Sequence, residues 1–162
     1  MSGASTPSAP GTGGGAGVPP TGAGQADLHL HTVHSDGTYQ PSELVAAAVG
    51  HGLSVIALTD HDTLEGCAAT AAAAAAAGLG FIAGTEITAE VGGRELHILG
   101  YFMDLADPVL LGELARAQSI RQERIREMVR RLNGRGIGLE PESVFQLAQC
   151  KAPGRPHVAR AL

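Results

Sequence analysis

Aromatic side chains are nearly missing from this 162-residue chain: Trp is absent, and Tyr and Phe together number five. No stretch therefore interleaves basic and aromatic residues as sequence-specific nucleic-acid readers do, and no sequence-specific DNA partner is expected. Cysteine is as scarce. Cys67 and Cys150 are the only two, too few for a disulfide scaffold or a four-thiolate zinc site. Neither has a ligand pattern nearby, so both read as small reduced hydrophobes. Basic residues are missing from the first 112 positions except for Arg94, against eleven acidic residues, a balance of −10. Residues 113–162 reverse this with ten basic and five acidic residues, a balance of +5. Such asymmetry points to cations held by the first part and anions by the second. Without Lys or Arg before position 94, and without an apolar run near the start, no secretory or mitochondrial presequence is expected. The longest charge-free stretch that resembles a membrane span, Gly66 to Thr85, is twenty residues of mostly Ala and Gly. Only Leu79, Phe81 and Ile82 in it are strongly apolar, so no membrane partner is expected. The protein reads as cytoplasmic.

What is present has a clear order. Residues 1–25 are almost entirely Gly, Ala, Ser, Thr and Pro and bury too little to offset ordering entropy; a disordered tail is expected. From Ala26 strand and helix signals alternate: a strand over Ala26–His31, then a helix over Pro41–His51 with Gly52 past its end. The apolar run Leu53–Thr59 reads as a strand buried on both faces. An alanine helix over Leu64–Ala77 ends at Gly78 and is N-capped through Asp62. A third strand covers Gly80–Ala83, and Glu86–Val91 with Glu95–Tyr101 forms a separate hairpin about Gly92-Gly93. This alternation predicts an α/β architecture with parallel β/α units over residues 26–107. From Pro108 to Leu162 the spacing is helical, with Leu110, Leu114, Ile125, Met128, Val129 and Leu132 on one stripe. A long helix ending at Asn133-Gly134, a shorter one over 141–150 and a last one after Gly154 make a helical insertion.

The chemistry gathers at strand ends, where parallel sheets place their ligands. His29 and His31 alternate along a strand and so share a face; a polar loop with His34, Ser35, Asp36 and Gly37 follows. The buried strand LSVIALT runs straight into Asp60-His61-Asp62, which packing alone does not explain because unpaired buried charge costs several kcal/mol. The third strand ends in Thr85-Glu86, and the hairpin's return strand carries His97. Nitrogen and carboxylate donors without thiolate suit Mn²⁺, Zn²⁺ or Fe²⁺. Their number exceeds one tetrahedral site and predicts a cluster of two or three divalent ions.

In this order and spacing, HxHxxxSDG, ALTDHDT, GTE and HILGY resemble the PHP (polymerase and histidinol phosphatase) superfamily. The likeness is greatest to its free-standing branch, the 3′,5′-nucleoside bisphosphate phosphatases, also described as 5′→3′ exoribonucleases. It runs from Asp27 to about Tyr101 and resumes at GRPHVARAL, which is similar to that branch's insertion. The resemblance implies the N-terminal part of a distorted (β/α)7 barrel followed by part of a helical insertion. It implies His29, His31, Asp36, His61, Glu86 and His97 as metal ligands, with His61 and Asp36 at the centre of catalysis. Asp60 and Asp62 would flank the ions. Arg155 and His157 would face substrate phosphate, a role that suits the planar fork of a guanidinium. By the same resemblance the barrel continues past this length and adds further ligands, so that the chain holds six of about nine. A truncated product, a fragment, or a partner chain that supplies the rest is expected.

The reading is a metal-dependent phosphoesterase, manganese foremost with zinc or iron as alternatives. It would act on nucleoside 3′,5′-bisphosphates or short 5′-phosphorylated RNA. A histidinol-phosphate phosphatase of the same superfamily is one rival. A metal-stabilised structural module without turnover is the other.

Overall fold

The computed structural model describes residues 24–162. The expected N-terminal tail lies, up to residue 23, outside the described residues. A single four-stranded sheet runs in the order β1 (Gln25–Leu30), β2 (Leu53–Leu58), β3 (Gly80–Val91), β4 (Arg94–Tyr101). The first three strands are parallel, and β4 returns antiparallel to β3. The sheet curls: Tyr101 Oη on the last strand donates to the Leu28 carbonyl on the first at 2.9 Å. The result is an α/β half-barrel.

Helices α1 (Pro41–Gly50) and α2 (Cys67–Ala76) cover one face of the sheet. Ile56, Ala57 and Leu58 on β2 are fully buried, as a strand covered on both sides must be. Val45, Ala48, Ile56, Ala74 and Leu79 pack between helices and sheet. The alanines of α2 give helix propensity together with a small cross-section, which lets α1 and α2 lie close on the strands. A second cluster, Leu44, Leu58, Leu64, Cys67 and Leu114, ties this layer to α3 (Pro108–Asn133). A third, Ile125, Val129, Leu139, Val144 and Val158, joins α3 to α4 (Pro141–Ala148) and α5 (Arg155–Ala161). The long helix starts where Asp107 accepts the Val109 and Leu110 amides, with Pro108 in the first turn. It stops where Asn133 exchanges two 2.9 Å hydrogen bonds with the backbone of Leu139.

Two expectations are corrected. The third strand does not end at Ala83, because β3 is continuous through Val91. Gly84 marks a close approach rather than a break, since a Cβ there would lie 2.5 Å from the Gly100 carbonyl oxygen. The alanine helix begins at Cys67, not Leu64, with Gly66 at its N-cap, so Asp62 does not cap it. Asp62 instead occupies the left-handed region at φ 50°, and its side chain is used elsewhere. Among the described residues no helix is long and apolar enough to cross a membrane.

The core placement of Cys67 carries a pH prediction. Burial pushes its thiol from 9.0 up to about 11, and the Sγ lies 3.7 Å from the Gly84 carbonyl oxygen, which accepts its S–H. Between these values the unfolded chain has released the proton that the folded chain keeps, so stability falls as pH rises through pH 9 to 11. Urea midpoints should drop from pH 8 to pH 10.5, with Cys67 contributing about 2 kcal/mol. Cys150, also pushed up to about 11 by burial, adds its own share, so Cys67→Ala should lessen that slope without abolishing it. Unaltered steepness in Cys67→Ala would assign the loss to other groups.

Candidate metal centre

β2 passes out of its pairing with β1 and re-engages β3 at one point. The Glu86 amide donates to the Asp60 carbonyl (3.2 Å) and the Asp62 amide to the Glu86 carbonyl (3.0 Å), setting His61 beside Glu86. β1 brings His29, and His31 just past its end, to the same place, and Thr88↔His97 pairing in the hairpin sets His97 across from them. Four imidazoles therefore surround one carboxylate. Glu86 Oε2 lies 2.8 Å from His29 Nε2, 3.0 Å from His31 Nε2 and 3.6 Å from His61 Nδ1, while Oε1 contacts His97 Nδ1. Asp36 lies on the other side, 3.3 Å from His31 Nδ1 and 3.5 Å from His61 Nε2.

The loop that delivers Asp36 is held by Asp60. Its buried carboxylate accepts the Thr32 amide (2.7 Å), the Thr32 hydroxyl (2.5 Å) and the Ser35 hydroxyl (2.6 Å). Gly37 closes the loop so tightly that a Cβ would sit 2.4 Å from the His31 carbonyl oxygen. Asp62 likewise points away from the cluster and accepts the Thr88 amide and Arg121 Nε. Arg121 was not singled out by sequence, although a signal existed. It fills, with Gln118, the gap between Leu114 and Ile125 on the buried stripe of α3, where a charge has no place unless paired. Thr32 is not singled out by sequence either, and Ser35 is named there only as part of the polar loop; the role of both shows once Asp60 is seen to face them.

The electrostatics favour cation binding. Burial lowers the His31 pKa from 6.5, against the opposing pull of Asp36 and Glu86, so the ring is neutral at pH 7 and offers a lone pair. Burial works to raise Asp36 and Glu86, yet both are held low by their histidine neighbours, Asp36 at about 2. His61 Nδ1 is buried with no hydrogen-bond partner, and 3.6 Å from Glu86 is too long for one. A buried orphan of this kind costs about 1–3 kcal/mol, and a cation shared with Glu86 would satisfy it. The donors fall into three overlapping trios, each with its ligand atoms within 4.8 Å: His29, His31, Glu86; His31, Asp36, His61; His61, Glu86, His97. The residues present fit a group of divalent ions.

Beside this group a cleft of about 330 Å³ is lined by Asp36, His61 and His97 on one side and Arg121, Arg124 and Arg155 on the other. Arg155 thus reaches the site from α5. His157 does not line this cleft: its ring is buried, Nδ1 accepts the Gly154 amide at 3.0 Å, and it borders a neighbouring hollow with His34 and Arg160.

The sequence profile of the PHP domain matches residues 27–104, the stretch that supplies all six clustered side chains. The chain carries a PHP domain. A 3′,5′-nucleoside bisphosphate phosphatase of Chromobacterium violaceum is 40% identical to it over 111 residues, covering 68% of this chain and 39% of the relative. A 5′-3′ exoribonuclease of Haemophilus influenzae is 36% identical over 136 residues, 84% of this chain and 49% of the relative. In solved structures, a Bifidobacterium adolescentis protein assigned as a metal-dependent phosphoesterase superposes with a TM-score of 0.78 at 34% identity, over 90% of this chain and 51% of that one. The chain spans up to about half the length of these relatives, so its half-barrel corresponds to part of a PHP barrel.

Proposed function

We propose that this PHP domain is the metal-binding part of a cytoplasmic phosphoesterase that hydrolyses nucleoside 3′,5′-bisphosphates or short 5′-phosphorylated RNA. The observation that carries this reading is the juxtaposition of three donor trios with three arginines across one cleft. His29, His31, Asp36, His61, Glu86 and His97 would hold two or three divalent ions, manganese in preference to zinc or iron. When bound, such ions supply Lewis acidity that activates water and polarises a phosphoryl oxygen. Asp36 and His61 would have a catalytic part because they belong to the trios and also line the cleft across from the arginines. Asp60 keeps the Asp36 loop rigid, and Asp62 fixes Arg121. Residues 26–107 provide the metal side and residues 108–162 the anion side, with Arg155 placed on a phosphate that is not cleaved. The two relatives, one a bisphosphate phosphatase and one an exoribonuclease, support the substrate class.

The test pairs metal analysis with substrate ranking. Protein supplied with Mn²⁺ should retain more than one ion per chain and release phosphate from adenosine 3′,5′-bisphosphate far faster than from histidinol phosphate. The reverse ranking would make it a histidinol-phosphate phosphatase. Metal uptake with neither substrate turned over would make it a metal-stabilised structural module. Arg155→Ala removes one charge-assisted contact, of about 1.5–3 kcal/mol, and should lower kcat/KM for the bisphosphate about ten- to a hundredfold. A simple monophosphate ester should be almost unaffected, and equal losses on both would place Arg155 on the reacting phosphoryl group.

A further inference from the structure

Glu95 joins the two sides of the cleft without being one of the clustered donors. Its Oε1 accepts His97 Nε2 at 3.0 Å and an Arg155 amino group at 2.8 Å, and Oε2 accepts Arg124. It is thus the one carboxylate among the described residues on which two arginines from separate helices, α3 and α5, converge with a histidine of the donor group. We propose that Glu95 is a positioning residue that couples metal retention to phosphate binding, an inference that rests on the function proposed above.

The argument has two parts. A neutral imidazole carries one N–H; by accepting it at Nε2, Glu95 leaves the lone pair of His97 at Nδ1, where Glu86 lies. When an ion takes the place of the Nδ1 proton, Glu95 holds the remaining N–H at Nε2, so the Nδ1 lone pair faces an ion shared with Glu86. Carboxylates that fix a ligating histidine in this way typically contribute ten- to a hundredfold in metal affinity. The second part concerns the arginines. Each guanidinium has five N–H donors and spends one on Glu95, which leaves both forks free to take a phosphate while their long side chains are held over the cleft.

Calorimetric titration of the whole protein with Mn²⁺, and separately of the metal-free protein with inorganic phosphate, tests this. Glu95→Ala should weaken Mn²⁺ binding about tenfold or more and phosphate binding about fivefold, with the thermal midpoint of the metal-free protein moved by no more than a few degrees. Glu95→Gln keeps an acceptor for His97 but loses the charge that gathers the arginines, so it should recover Mn²⁺ affinity and not phosphate affinity. In an Arg124→Ala/Arg155→Ala background, Glu95→Ala should cause no further loss of phosphate. Tighter phosphate binding by Glu95→Ala would overturn the proposal by showing that the carboxylate competes with the anion. Unchanged affinities, or an undiminished phosphate loss in the arginine-free background, would overturn it as well. Absence of Mn²⁺ uptake by the wild type would instead refute the metal reading itself, and this inference with it.

Discussion

Replacing His61 with alanine should remove most of the metal-dependent stabilisation while leaving the metal-free protein nearly as stable as its parent. His61 belongs to two of the three donor trios, and its Nδ1 is the buried polar atom without a partner. Removing the ring forfeits packing but also removes an orphan that costs about 1–3 kcal/mol, so the two effects offset to within about 1 kcal/mol. With metal the balance is different. An ion at a thousand times its Kd stabilises the folded state by about 4 kcal/mol, or roughly 10 °C in Tm for a domain of this size. Loss of one shared ligand should weaken binding by a hundredfold or more and erase most of that shift. His51→Ala, at the exposed C-terminus of α1, is the control and should keep the full shift. A His61→Ala protein that still gains about 10 °C from Mn²⁺ would show that the cluster does not use this ring.

How far the sequence could be read depended on whether a feature was local. The strand ends were legible because alternation in Asp27–His31 and the abrupt passage from LSVIAL to Asp-His-Asp are properties of consecutive residues. So was α3, whose Asp107-Pro108 start and Asn133-Gly134 end are written in its own caps. The continuity of β3 was not legible. Gly84 reads as punctuation until the return strand is known to press its Gly100 carbonyl against that position. The flanking aspartates show the same limit more sharply. Asp60 and Asp62 look like a pair, yet one binds a loop twenty-eight residues earlier and the other an arginine fifty-nine residues later. Which partner each would take depends on tertiary contacts that no local pattern encodes. Arg121 was hidden for the converse reason: on a helix rich in arginine, a buried one looks like its solvated neighbours.

That arginine carries the largest stability effect expected here. Asp62 is fully buried and Arg121 is 4% exposed, so their ion pair stands outside solvent, with Thr88 Oγ1 at 2.6 Å from the guanidinium and Gln118 donating to the Asp62 carbonyl at 2.9 Å. Removing one member of a buried pair strands the other and costs about 3–5 kcal/mol, far more than the pair contributes over an apolar replacement. Asp62→Asn isolates the charge effect, because asparagine tolerates the φ of 50° at this position and keeps the shape of the side chain. Asp62→Ala adds the cost of a left-handed alanine, about 1–2 kcal/mol. Urea unfolding should therefore rank the variants Asp62→Ala below Asp62→Asn, both well below wild type. Arg121→Met alone should also be destabilised, while the double variant Asp62→Asn/Arg121→Met should recover much of the loss, a coupling of the sign expected for directly paired groups. The same pair bolts α3 to the end of β2 and so carries Arg121 and Arg124 to the cleft. For that reason the double variant, though refolded, should lose phosphate binding along with Arg121. Additive losses in the double variant would mean that each side chain is stabilised by other neighbours and that the helical segment is anchored elsewhere.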